Sequence, residues 1–305
     1  MKTAMRVIVN PAAANGAVGK RWPQMRDILQ AEGGQFDASL TEGPNHATEL
    51  AREALSTGYR TIVAVGGDGT LNEVVNGLVI EGTVDPTVNL GIIPGGTGSD
   101  SVRTLGIPHD YRAACHRLLH GQPDCIDLGW ITCVSEGREI QRYFLNVAGL
   151  GFDGEIVERV NRSSKALGGT LPFLSSLCVK LLTYQNKTVE VTFDVQQCLQ
   201  QKANSVLVCN GRYAAGSMHI APHAALDDGL FDVVIIGDTS KLEIMANVPR
   251  IYRGTHLSHP KVDEYHAKEV QVKAQERMFL QADGELIGEA PATFQIIPQV
   301  LHVLI

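Results

Sequence analysis

The stretch Val63-Ala64-Val65-Gly66-Gly67-Asp68-Gly69-Thr70-Leu71-Asn72-Glu73 runs from an apolar β-branched segment through three glycines into a helical pattern. A second stretch, Ile92-Ile93-Pro94-Gly95-Gly96-Thr97-Gly98-Ser99-Asp100, has the same construction. A strand that turns directly into a helix presents backbone N–H groups and the positive end of the helix dipole at one point. Glycine lets an anion approach that point closely and allows backbone angles closed to other residues. Taken singly, Gly-Gly-Asp-Gly is also an ordinary tight turn. Two such loops after neighbouring strands of one sheet favour paired phosphate cradles.

On either side of these loops the chain alternates strand and helix patterns. Residues 6–9 precede a helix over 20–32, with Trp22, Met25, Ile28 and Leu29 at helical spacing. Residues 35–40 precede a helix over 46–56, residues 61–65 one over 71–79, and residues 89–93 a short helix after Gly98. This spacing predicts a doubly wound, mostly parallel sheet over residues 1–122, with its ligand beyond the carboxyl ends of the strands. From residue 123 to 305 extended runs dominate: 126–134, 139–147, 189–195, 205–208, 230–236, 269–273, 278–281 and 293–297. Several alternate apolar with polar residues, as Val270-Gln271-Val272-Lys273 does, which suits antiparallel strands with one wet face. The fold class is α/β, with a β-rich second domain carrying a few inserted helices.

The 305 residues are 44% hydrophobic and 19% charged, a globular composition. With 26 basic against 33 acidic residues the formal charge is −7, which disfavours broad electrostatic capture of nucleic acid. Six cysteines without a CxxC pair read as reduced thiols of a cytosolic protein. No run of eighteen apolar residues predicts a membrane span, and the start leaves no room for a signal peptide.

Other motifs are weaker. No GxxxxGK[ST] occurs. Gly149-Leu150-Gly151-Phe152-Asp153-Gly154 has the dinucleotide-binding spacing, but residues 171–177, where the acidic partner belongs, are apolar. Four Asp-Gly pairs, at 68–69, 153–154, 228–229 and 283–284, read most simply as turns, although a turn Asp beside backbone carbonyls also suits a hard divalent cation. His219 and His223 are separated by a helix-breaking Pro222 and read as surface or packing residues, and His256 as structural. Arg162 and Lys165 are either phosphate contacts or solvated cations. The apolar stretch 166–184 is either core or a lipid-contacting helix.

Together these motifs resemble the diacylglycerol kinase catalytic family in its soluble bacterial form, related to sphingosine and ceramide kinases. The resemblance rests on Val9-Asn10-Pro11 with Asn15-Gly16, both glycine loops, the run from Asn146 to Asp153, Leu226-Asp227-Asp228-Gly229-Leu230-Phe231-Asp232 and Gln281-Ala282-Asp283-Gly284-Glu285, in order along almost the whole chain. It implies a second domain of antiparallel β-sandwich type, an active site in the cleft between the domains, and transfer of phosphate from ATP to a lipid hydroxyl.

By position in the motifs, the resemblance implies nucleotide contacts from Asn10, Thr41, Gly66, Gly67, Asp68, Gly69, Thr70, Leu71, Asn72, Gly96, Thr97 and Glu285. Asp283 matches the proton acceptor, with Asp68 as the competing base or as part of the metal network with Asp100. Ala225 and Leu230 would offer carbonyls, and Asp228 a carboxylate, to a structural Mg2+. The implied acceptor is diacylglycerol, giving phosphatidic acid. Sphingosine, ceramide or phosphatidylglycerol, an NAD kinase-like activity, and an inactive nucleotide-binding regulator are the alternatives. The protein is expected to be cytoplasmic and to visit the inner membrane face transiently, without nucleic acid, and a homodimer is left open. Ser99 stands where many relatives carry Asn. The chain ends at Leu301-His302-Val303-Leu304-Ile305, short of a segment that in some relatives returns to the first domain.

Overall fold

The computed structural model describes residues 4–95, 99–164 and 183–305. Gly96, Thr97, Lys165 and residues 166–182 of the apolar stretch lie outside the described residues.

In the first half, β1 (Met5–Val9), β2 (Phe36–Leu40), β3 (Thr61–Gly66) and β4 (Asn89–Pro94) are parallel, in the order β2-β1-β3-β4. Between and after them come α1 (Ala17–Ala31), α2 (His46–Ser56), α3 (Asp68–Leu78), α4 (Asp100–Thr104) and α5 (Tyr111–His120). Successive strand residues point to opposite faces. Val7, Val9, Val63, Val65 and Ile93 pack with Trp22, Met25 and Leu29 of α1 and Leu118 of α5. Ile8, Ile62, Ala64, Leu90 and Ile92 pack with Leu50 and Ala54 of α2 and Val74 and Leu78 of α3. Both faces of the sheet are covered, as the doubly wound reading expects.

The second half runs β5 (Pro123–Ser135), β6 (Arg138–Phe144), β7 (Val147–Gly151), α6 (Phe152–Ser164), β8 (Lys187–Phe193), β9 (Gln197–Cys209), β10 (Tyr213–Ala214), β11 (Met218–His219), β12 (Phe231–Gly237), α7 (Lys241–Tyr252), β13 (Val262–Ala267), β14 (Glu269–Ala274), β15 (Phe279–Ala282) and β16 (Glu285–Leu304). Its strands pair antiparallel with one another around a core that includes Phe144, Phe231 and Phe294. Phe144 stacks on Phe231 at 5.7 Å and meets Phe294 edge-on at 6.4 Å. Full burial of each such ring stabilises by about 1.5–3 kcal/mol.

Three expectations need correction. The chain end does return to the first domain: His302 and Val303 pair in parallel with Asn89 and Leu90 of β4, joining the two halves in one sheet. The run 139–147 is two strands, β6 and β7, broken at Leu145 and Asn146. The Asp-Gly pairs are not all turns: Asp68-Gly69 and Asp153-Gly154 lie in the first turns of α3 and α6. Asp283-Gly284 is the two-residue hairpin between β15 and β16, with φ of 47° and 86° as a type I′ turn requires.

Candidate functional site

The two glycine loops lie side by side at the carboxyl ends of β3 and β4, where Gly66 pairs with Pro94 and the Gly95 N–H donates to the Gly66 carbonyl at 2.8 Å. The N-cap of α3 is Gly67, and no side chain caps that helix, which leaves its N-terminus suited to a phosphate. Asn10 Nδ2 donates to Thr70 Oγ1 at 2.9 Å, tying the β1 loop to the first glycine loop. A Cβ on Gly66 would lie 2.5 Å from Thr70 Oγ1, so glycine is required for this packing. Thr41, buried, follows β2 and donates its N–H to the Val9 carbonyl at 2.8 Å. Glu285 stands over the loop: a Cβ on Gly69 would lie 2.9 Å from its Oε1. Burial raises the Glu285 pKa, aided by Glu73 and Asp283 and opposed by Arg142.

Two expected nucleotide contacts have other work. The Leu71 side chain belongs to the core beneath α3. Asn72 Nδ2 donates to Asp283 Oδ2 at 2.9 Å and to the Tyr143 carbonyl at 3.0 Å, while its Oδ1 accepts from Arg142 Nε and Asn76 Nδ2, both at 3.1 Å. Both amide N–H groups and both lone pairs are thereby spent on the junction between the halves.

Asp283 answers Asn72 from the hairpin. Its Oδ2 also accepts from the Leu145 N–H at 2.9 Å, and its Oδ1 from those of Asn146 and Val147 at 3.0 and 3.1 Å. A side chain thus takes the backbone donors at the point where β6 gives way to β7. Burial raises the Asp283 pKa, against the pull of these four donors. Asp68 accepts the N–H groups of Asp100 and Ser101 at 3.2 and 3.1 Å, binding the start of α4 to the first loop. Asp100 in turn accepts those of Gly216 and Ser217 at 2.9 and 2.7 Å, and burial raises its pKa, helped by Asp68. Ser99 sits at φ 49°, a left-handed conformation that asparagine adopts more readily than serine.

The expected metal group forms a loop of its own. Asp228 Oδ1 accepts the Leu230 N–H at 3.0 Å, and Ala225 stands just before Leu226, whose carbonyl accepts the Asp127 N–H at 2.6 Å. Asp127, fully buried, accepts the N–H groups of Gly229 and Gln299, each at 2.7 Å. Burial and the charges of Asp228 and Asp227 raise its pKa. Clustered carboxylates among loop carbonyls are the hard oxygen donors that Mg2+ takes, so the residues fit that ion.

Gly149-x-Gly151-x-Asp153-Gly154 serves packing. A Cβ on Gly149 would lie 1.8 Å from Asp153 Oδ2, and one on Gly154 2.4 Å from the Phe279 carbonyl. Asp153 Oδ2 accepts from Gln281 Nε2 at 3.0 Å, and Gln281 Oε1 accepts the Gly284 N–H at 2.9 Å, bracing the turn that carries Asp283. Burial lifts the Asp153 pKa from 3.8 to about 6, opposed by Gln281. A carboxyl that holds its proton more tightly folded than unfolded contributes stability below its unfolded pKa, and that contribution is lost as pH rises through the folded one. The stability of the wild type, less that of Asp153→Asn, should therefore fall by about 1.5 kcal/mol between roughly pH 5 and pH 8. Urea denaturation at both pH values measures it, and a constant difference counts against a protonated Asp153.

The histidines behave as read: His219 stacks on Tyr213, His223 pairs with Glu264, and buried His256 meets the Ile220 carbonyl. Sequence reasoning passed over Asp127 and Arg142, which no local motif marks, and gave Gln281 no role of its own within the motif Gln281–Glu285. It also left Glu73 without a role, although its carboxylate accepts the N–H groups of Asn45 and Ala47 at the start of α2.

Residues 4–131 match the model of the diacylglycerol kinase catalytic domain, and residues 146–305 that of the YegS C-terminal NAD kinase beta sandwich-like domain. The chain is 31% identical to a diacylglycerol kinase of Bacillus subtilis, with 100% of this chain and 96% of that protein covered. It is 30% identical to a diacylglycerol kinase of Staphylococcus carnosus, over 99% and 95%. A crystal structure of a Bacillus anthracis diacylglycerol kinase has the same fold, with a TM-score of 0.73 at 22% identity over 99% of this chain and 96% of that one.

Proposed function

This chain belongs to the diacylglycerol kinase catalytic family, and from that premise we propose that it transfers the γ-phosphoryl group of ATP to the hydroxyl of diacylglycerol, giving phosphatidic acid. The observation that carries the reading is the bond from Asn72 to Asp283, which holds a carboxylate of the second domain against the helix that opens in the glycine loop.

Phosphoryl transfer depends mainly on positioning and charge stabilisation. The open N-terminus of α3, with Gly66, Gly67, Gly69 and Thr70, receives the phosphates, and Asn10 and Thr41 border them. Mg2+ neutralises phosphate charge when bound, and the loop of Ala225, Asp228 and Leu230, with Asp127 behind it, would hold a structural ion. Asp283 accepts the proton of the lipid hydroxyl, and burial strengthens it as a base. Of its four donors only Asn72 belongs to a side chain, so Asn72 can yield its place to the hydroxyl without a backbone movement.

The protein works at the cytoplasmic face of the membrane as a peripheral visitor. Leu242 and Met245, exposed on α7, support that reading by offering apolar surface. Radiolabelled ATP with Mg2+ and a panel of diacylglycerol, ceramide, sphingosine and phosphatidylglycerol in mixed micelles tests it, with NAD in a parallel assay. Diacylglycerol should carry the label, and only with Mg2+. Label on NAD alone, or on nothing, overturns the lipid kinase.

A further inference from the structure

Far from the glycine loops in the sequence, α5 carries two histidines one helical turn apart, His116 and His120. Their ring centroids are 4.5 Å apart. Glu32, the C-cap residue of α1, brings a carboxylate to the same place, with its Oε2 3.7 Å from His120 Nε2. One ligand atom from each of the three lies within 4.8 Å of the others.

We propose that Glu32, His116 and His120 form a surface binding site for a divalent transition cation of the Zn2+ type, which clamps α1 to α5. Two imidazoles at i and i+4 on one helix face, completed by a carboxylate, make a recurrent zinc donor set, and imidazole selects Zn2+, Ni2+ or Cu2+ over Mg2+. Metal–ligand bonds near 2.0–2.1 Å place tetrahedral donors about 3.3 Å apart, so these side chains must close by roughly an ångström. Their exposure lets them do so: the His120 side chain is 55% exposed and that of Glu32 30%. The fourth position would go to water.

The backbone favours a cation at the same point. α1 ends beside Glu32 and α5 ends at His120, so the negative ends of two helix dipoles converge on the site. The helices already pack together there: a Cβ on Gly34, just past α1, would lie 3.2 Å from Leu119 of α5. Both cover the same face of the parallel sheet. A bound ion would thus cross-link two helices already joined by hydrophobic packing and by the hydrogen bond from the Tyr111 hydroxyl to Gln24 Oε1 at 3.0 Å.

The site shares no residue with the proposed kinase machinery, so its test stands apart from catalysis. Tag-free protein is titrated with ZnCl2 by calorimetry near neutral pH, in a non-chelating buffer with excess Mg2+ to fill carboxylate sites. The wild type should bind one Zn2+ with a Kd in the micromolar range, and saturating Zn2+ should raise its Tm by roughly 5 °C. His116→Ala and His120→Ala should each weaken binding at least tenfold and abolish the Tm rise, and Glu32→Gln should weaken it less. These are exposed helical or capping positions, and circular dichroism confirms that the variants remain folded. Zn2+ binding unchanged in the His116→Ala, His120→Ala double variant places the ion elsewhere and overturns the proposal, as does the absence of saturable binding to the wild type.

Discussion

Asp283→Asn is expected to lower turnover by about three orders of magnitude, within the range that a positioned general base contributes. It should also destabilise the fold, because the carboxylate has a second duty. Its two oxygens accept from Asn72, Leu145, Asn146 and Val147. An asparagine amide, whichever way it is turned, sets its own N–H groups against two of these donors. Each donor left without an acceptor costs about 1–3 kcal/mol, so a loss on the order of 2–6 kcal/mol follows. The two duties separate by measurement. A base predicts a collapse of kcat with little change in ATP binding at a temperature where the variant is folded, and loss of the acid limb of the pH–rate profile. If Asp283→Asn turns over within tenfold of wild type while its Tm falls, Asp283 is a tie across the junction and not the base.

The parallel half was legible because its signals are local. β-Branched runs, helical spacing and glycine punctuation each act within a few residues, and α2 has the bounds read from its pattern. Errors arose where a distant partner decides. α3 begins at Asp68, not at Leu71, because Asp68, Gly69 and Thr70, which read as loop, form its first turn. The run 139–147 breaks because Asp283, 138 residues beyond Leu145, takes its backbone donors. β16 extends over 20 residues where only 293–297 read as strand. Pro291 and Pro298 both fall where the pairing register of β16 with β5 shifts, between Glu289 and Ala292 and between Ile297 and Leu301. A bulge tolerates the missing N–H there.

The site shows the same division. Glycine loops and Asp-Gly turns announce themselves in a line of sequence, whereas Asp127, Arg142 and Gln281 acquire meaning only when β5, β6 and β15 place them. Asn72 was legible as part of a motif, but its partners are not. The bonds to Tyr143 and Asp283 show that it holds the two halves together behind the loop in which it was noticed.

Asp68→Ala should have the second largest effect, and of a different kind. Its carboxylate fixes Asp100 and Ser101 at the head of α4, and Asp100 fixes Gly216 and Ser217, so one side chain anchors the start of α4 and, through Asp100, the β10–β11 connection. Each hydrogen bond to a charged acceptor contributes about 1.5–3 kcal/mol. Losing that order of energy from the phosphate cradle lowers kcat/KM for ATP about a hundredfold. The loss should fall mainly on KM, since the cradle binds phosphates before and during transfer. Asp283 acts on the acceptor proton instead, so the two changes should combine nearly multiplicatively in an Asp68→Ala, Asp283→Asn double variant. Two groups serving one proton transfer do not combine in this way: removing the second then costs little more. Steady-state kinetics on the four proteins decides between these outcomes. A double variant no slower than Asp283→Asn, with the Asp68→Ala loss confined to kcat, would make Asp68 a partner in the proton transfer and not the anchor of the cradle.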